Sequence, residues 1–139
     1  MRTIRIAVLS LLCLLGFAGA AWAQTITDGS YSTVGYIKSD GTIQDRSYRT
    51  IGHIRDDGTV LDGSYRTIGH LRGDGTVMDG SYRTVGHIRD DGTVMDGSYR
   101  TIGHIRKDDG TVMDASYRTI GHAKGIPLYW IALFFFFSD

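Results

Sequence analysis

From Tyr31 to Tyr117 the chain repeats one short phrase: Ser-Tyr-Arg-Thr-Ile-Gly-His-Ile-Arg, an Asp-Gly turn, Thr-Val-Met-Asp-Gly, then Ser-Tyr again. Tyr31, Tyr48, Tyr65, Tyr82 and Tyr99 follow one another at 17 residues, and Tyr117 comes after 18. A unit this short cannot bury its own apolar face, so the copies must share a core. The repeat therefore dictates an architecture and leaves the chemistry open.

Residues 1–23 are set apart from the repeats. Arg2 and Arg5 precede an apolar run from Ile6 to Phe17, and Ala21-Trp22-Ala23 supplies the small residues a signal peptidase accepts. This pattern predicts an exported chain, periplasmic or extracellular, that begins at Gln24. A retained membrane anchor is the alternative; the short apolar core ending in small residues favours cleavage. Cys13, the sole cysteine, falls inside this segment, so the mature chain is expected to have neither thiol nor disulfide chemistry.

Basic and acidic residues balance at 15 each over the full sequence. A near-neutral surface argues against a nucleic-acid partner, which needs concentrated positive charge. Every acidic residue is Asp, and there are 19 glycines against one proline. Asp and Gly suit turns, whereas Glu favours helices, so the composition predicts an all-β fold.

Each repeat reads as a β-hairpin. Arg49 to Arg55 is rich in β-branched residues, Asp56-Asp57-Gly58 turns the chain, and Thr59 to Asp62 returns. The turn recurs at Gly41, Gly75, Gly92 and Gly110, which predicts five hairpins. A three-residue loop with a left-handed glycine would pair Ile54 with Val60 and set Arg55 opposite Thr59. The extra Lys107 falls at a hairpin tip, where insertion costs least. Val34, Ile51, Ile68, Val85, Ile102 and Ile120 form one apolar series, and Ile26, Ile43, Val60, Val77, Val94 and Val112 another. The residues after the second series vary: Thr27, Gln44, Leu61, Met78, Met95 and Met113.

Glycines recur inside the strands at Gly35, Gly52, Gly69, Gly86, Gly103 and Gly121, which points to repeats crowding a shared centre. Valine at Gly69 should then be far more damaging than Asn at Gly75, because Asn tolerates left-handed turn geometry. The tail from Ile126 to Phe137 is wholly apolar and shorter than the roughly 20 residues of a spanning helix. It reads as a hydrophobic closing strand, buried on both faces inside the assembly. No stable membrane span is expected in the mature chain. The domain organisation is thus a signal peptide over 1–23 and a β-hairpin repeat domain over 24–139, with its repeat core at 26–125 and the closing strand at 126–137.

These repeats, the closing Ala123-Lys124-Gly125-Ile126, Trp130 and the run Phe134 to Phe137 resemble the five-fold β-flower proteins of bacteria. The resemblance covers Ile26 to Phe137. It implies a small secreted or periplasmic domain with five hairpin petals around an axis, from a family without an assigned activity. The chain departs from the family pattern in carrying His instead of Tyr in most repeats, Tyr36 being the exception, and in Pro127.

His53, His70, His87, His104 and His122 hold one position per repeat and are the candidate metal ligands, if symmetry brings them together. Tyr36 in the first copy favours a packed aromatic ladder instead. Tyr48, Tyr65, Tyr82, Tyr99 and Tyr117, each followed by Arg, are a candidate binding rim for a glycan or a cell-envelope protein; sealing the joints between petals is the competing role. The Asp-Gly turns match no calcium loop and are what hairpins require anyway. Asp62, Asp79, Asp96 and Asp114 each precede an Arg by four residues, which predicts exposed ion pairs between neighbouring segments. Ser, His and Asp recur only because the repeat is copied, so no nucleophile has its own base. The sequence thus predicts a non-catalytic structural or binding module without a cofactor, with a His-based periplasmic metal protein as the alternative.

Overall fold

The computed structural model describes residues 23–137; the predicted signal peptide lies almost wholly outside them. Twelve strands form one closed barrel: β1 (Ala23–Asp28), β2 (Thr33–Lys38), β3 (Thr42–Asp45), β4 (Thr50–Ile54), β5 (Thr59–Asp62), β6 (Thr67–Leu71), β7 (Thr76–Asp79), β8 (Thr84–Ile88), β9 (Thr93–Asp96), β10 (Thr101–Ile105), β11 (Thr111–Asp114) and β12 (Thr119–His122). All neighbours are antiparallel, and β1 closes the barrel against β12. The predicted all-β repeat architecture holds, with a correction to the count. Five hairpins carry Asp-Gly tips, and a sixth pair is assembled from the two ends of the array, β12 and β1. Tip turns alone could not reveal that pair, because no turn joins its strands at the tip end.

Two turn families alternate around the barrel and share one geometry. At a tip, Arg55 N–H donates to the Thr59 carbonyl (2.9 Å) and Gly58 N–H to the Arg55 carbonyl (2.9 Å), with Gly58 at φ +91°. At the opposite end, Asp45 N–H donates to the Arg49 carbonyl (2.9 Å) and Tyr48 N–H to the Asp45 carbonyl (3.0 Å), with Tyr48 at φ +68°. Both are three-residue loops with a left-handed residue in the bulge. The register matches the sequence reading: Ile54 pairs with Val60. Lys107 is absorbed at its tip, since Ile105 still pairs with Val112 beyond it.

The tip glycine has a second duty. Its carbonyl accepts from the next petal, as Gly75 does from Ile88 N–H (2.8 Å), and a Cβ there would overlap the Ile88 carbonyl oxygen. Asn at Gly75, even where it tolerates left-handed torsions better than most residues, therefore fails on space, which argues against the expectation that Gly69→Val would be far the more damaging change. Petals thus lean on one another through glycine.

The apolar tail is a helix, α1 (Leu128–Phe136), and not the expected closing strand. The reason is topological: a closed barrel has no free edge to pair with, so a segment inside it must satisfy its own backbone groups. Ile131, Ala132 and Leu133 are buried, and they join Ile26, Ile37, Ile54, Val77, Ile88, Val94, Ile105 and Val112 in one core. The notion of a plug inside the assembly was right, and its secondary structure was not. Near the helix start, the Tyr129 hydroxyl donates to Asp90 Oδ1 (3.3 Å) at a hairpin tip.

Four phenylalanines meet four strand glycines in order around the barrel. A Cβ on Gly35 would lie 3.0 Å from the Phe134 ring. On Gly121, Gly103 and Gly86 it would overlap Phe135, Phe136 and Phe137 respectively. The shared centre inferred from the glycines is thus a set of phenyl rings as well as neighbouring backbone. The first apolar series sits at β-bulges, for example between Ile43 and Gln44 opposite Ile51, and its Ile51, Ile68 and Val85 stay exposed.

Candidate functional site

The outer wall carries the side chains that alternate with the core. His70 pairs across the hairpin with Met78, while Leu71 and Val77, the next pair along the ladder, turn inward. Leu61, Met78, Met95 and Met113 are buried yet stand apart from the lumen cluster. They form small apolar floors, one per petal, which explains why that series tolerates variation in shape. Gln44 is buried at the same register position and donates from Nε2 to the Tyr48 carbonyl (3.3 Å).

An aromatic pair accompanies each floor. His53 stacks on Tyr65, His70 on Tyr82, His87 on Tyr99 and His104 on Tyr117, with centroids 4.0 to 4.2 Å apart and planes within 15°. Tyr36 takes the histidine role against Tyr48 at 4.5 Å, and His122 meets Tyr31 across the seam at 4.0 Å. The position accepts either ring, so flatness is what it demands. The tyrosines remain 62 to 71% exposed, which leaves their outward faces open.

The turn that delivers each tyrosine is built by its aspartate. Asp62 Oδ1 accepts from Ser64 N–H (2.9 Å) and Arg66 N–H (2.9 Å), and Oδ2 pairs with Arg66 Nε at 3.0 Å. The same set recurs at Asp45, Asp79, Asp96 and Asp114. The predicted ion pairs exist, but within one turn instead of between segments. The backbone N–H of Arg66, more than the charge of its side chain, holds the Asp62 carboxyl below its ordinary range. At the tips, the Thr59 backbone N–H does the same for Asp57, whose Oδ1 accepts from it at 3.0 Å. These carboxylates serve turns, as the sequence reading held.

Between petals the wall opens into clefts. One, of about 480 Å³, is lined by Asp40, His53, Arg55, Asp57, Leu61 and Tyr65. Another, of about 660 Å³, repeats the pattern with Asp74, His87, Arg89, Asp91, Met95 and Tyr99. Each combines an aromatic pair, an apolar floor, carboxylates from two successive tips and an arginine.

The structure gathers the candidate residues differently from a metal site. Each histidine is committed to its own stack on its own strand pair, and no three His, Cys, Asp or Glu side chains converge to hold an ion among the described residues. Nε2 of His53, His70, His87 and His122 is buried without a hydrogen-bond partner, so these edges face packing. The Tyr rim is brought together with the His series, an association neither series announced by itself. Sequence reasoning also missed the tip aspartates and Arg55 or Arg89 as companions of the rim, although their fixed offset from each Tyr was visible.

This architecture is a closed barrel of repeated hairpins wrapped on an apolar helix, with an aromatic girdle outside. A family model described as 5-fold beta-flower protein matches residues 23–139, and the chain belongs to that family. Comparisons with curated proteins and with solved structures returned no match. No helix of the described residues is long and apolar enough to cross a membrane.

Proposed function

We propose that the chain is a non-catalytic, exported module of the cell envelope that binds a repeating glycan through its outer clefts. The observation that carries this reading is the backbone of the six rim tyrosines, all at φ 68 to 69°. A non-glycine residue in the left-handed region costs about 1 to 2 kcal/mol, and the stack on histidine returns about 0.5 to 1.5 kcal/mol. The fold gains little from tyrosine there. Glycine, which the tip turns use at the equivalent bulge, would be easier on the backbone. An exposed aromatic held in place at such a cost fits a ligand platform.

The neighbours suit a sugar. A pyranose presents an apolar C–H face to a flat ring and hydroxyls to carboxylate and guanidinium groups, and each cleft supplies all three. Weak sites repeated around a barrel gain avidity on a polymer whose units also repeat. Export rests on Arg2, Arg5, the apolar run and Ala21-Trp22-Ala23.

Affinity electrophoresis in gels holding soluble polysaccharides, with peptidoglycan fragments assayed by calorimetry, tests the reading. Wild type should be retarded by at least one polymer, and a Tyr65→Gly, Tyr82→Gly, Tyr99→Gly variant should fold and migrate freely. Retardation by none of them, or equal retardation of the folded triple variant, would refute it.

A further inference from the structure

The barrel has six strand glycines in equivalent register, and among the described residues four have a phenyl ring against them. Phe134, Phe135, Phe136 and Phe137 occupy the notches at Gly35, Gly121, Gly103 and Gly86. At Gly52 the nearest side-chain atom to a notional Cβ is Ile43 Cδ1 at 3.6 Å, and at Gly69 it is Val60 Cβ at 3.9 Å.

The surface follows this asymmetry at five of the six notches. Ile51 and Ile68, beside the two ringless notches, are 47% and 50% exposed. Of their counterparts beside ring-filled notches, Val34, Ile102 and Ile120 are partly buried against the core, while Val85, beside Gly86, is 37% exposed. A cavity of about 350 Å³ opens at Gly69, walled by Val60, Ile68, Val77, Leu133, Phe136 and Phe137. Its lining includes His70 and Asp79, so the apolar chamber has a polar lip.

We propose that this side of the barrel mouth binds a small monocyclic aromatic molecule, whose ring takes at Gly69 the place that phenylalanine takes at the four filled notches. The chain itself supplies the precedent for the occupant, because the same glycine register seats a phenyl ring four times over. The chemistry is ordinary: cavities walled by aliphatic and aromatic side chains take up benzene-sized molecules, and here His70 and Asp79 at the lip add a polar edge to the apolar wall. Leu133, Phe136 and Phe137 set this chamber against the core. Although its lining also includes His70, it shares no residue with the two outer clefts, so its test reads residues that glycan binding does not.

The test is a titration of the full chain with toluene and with phenol, read by methyl and amide chemical shifts. Saturable shifts are expected, confined to Gly69, Ile68, Val60, Val85 and Phe137. Gly69→Val, which fills the notch, should weaken binding at least about tenfold, equivalent to about 1.4 kcal/mol. Should Gly69→Val fail to fold, Val60→Phe narrows the chamber from its wall and should give the same loss. Phe137→Ala, which vacates the Gly86 notch, should add a second equivalent of bound ring. Shifts that never saturate, or that spread over the outer wall, would overturn the proposal. So would unchanged affinity in the folded variants, or sedimentation showing that a second copy already covers Ile51 and Ile68.

Discussion

Tyr31 and His122 stack with centroids 4.0 Å apart and planes within 8°, although they come from opposite ends of the repeat array. The backbone ladder beneath them is the shortest in the barrel, with only Thr27 against His122 and Asp28 against Gly121 in register. The first turn also has Ser32 where later copies have the arginine that pairs with the turn aspartate. Closure therefore leans on this one aromatic pair.

Tyr31→Ala should open the seam selectively. A stack of this kind contributes about 0.5 to 1.5 kcal/mol, a meaningful share when few ladder bonds support the same joint. Native-state hydrogen exchange should show faster exchange across Thr27, Asp28 and Gly121 in this variant, with β7 and β8 unaffected. Tyr82→Ala should not produce that pattern, because Met78, Val77 and Thr76 all keep partners on β8. Uniform acceleration in both variants would mean the seam is no weaker than any other joint.

The strand glycines divide into two classes that alanine substitution should separate. At Gly103 a Cβ overlaps the Phe136 ring and sits 2.9 Å from the Met113 carbonyl oxygen, whereas at Gly69 only the Met78 carbonyl oxygen is close, also at 2.9 Å. Gly103→Ala should cost about 1 to 3 kcal/mol more than Gly69→Ala, the usual range for overpacking. Gly75→Asn belongs with the severe class because of the Ile88 carbonyl. Urea denaturation of the three variants decides this, and a mild Gly75→Asn would show that the tips can separate without loss.

Hairpin register was legible because loop length and apolar pattern agree on it: only one pairing sets Ile54 against Val60. The tail was not legible, because Leu128 to Phe137 lacks any periodicity that separates a buried strand from a buried helix. What decides between them is barrel closure, a property of strands as distant as β1 and β12. The His and Tyr series were each visible, but their union was not. It depends on a left-handed tyrosine that brings Tyr65 back over His53, 12 residues earlier, and nothing in residue type announces that torsion. The four phenylalanines and six glycines were both counted as features; their one-to-one seating needed the helix.

Acid should unfold the barrel through its turns. Backbone N–H groups hold Asp45, Asp62, Asp79, Asp96 and Asp114 below the ordinary carboxylate value, and the tip residues Asp40, Asp57, Asp74, Asp91 and Asp109 behave alike. A carboxyl with a lower pKa in the folded state binds fewer protons there than in the unfolded chain. Its contribution is fully present above the unfolded value, near pH 4, and drains away as pH falls through the folded one. Melting temperature should therefore be flat from this source above about pH 5 and drop below about pH 4. Replacing Asp62, Asp79 and Asp96 with Asn should flatten the acid limb, and an unchanged limb would assign the loss to other groups.

Removing α1 should abolish the barrel, since the inward strand side chains are packed against the helix. Truncation after Gly125 deletes Ile131, Ala132 and Leu133 from the core together with the four rings seated on glycine. A single Ile or Leu truncated to Ala in a packed core costs about 2 to 5 kcal/mol, against a total of about 5 to 15 for a domain. The truncated chain is expected to be insoluble or unfolded by circular dichroism and proton NMR. Ile131→Ala, a gentler change at a position only 2% exposed, should leave a folded protein with a melting temperature lower by about 5 to 20 °C. A truncated chain that stays monomeric and melts cooperatively would show that the strands close on their own, with the helix only lining an already stable wall.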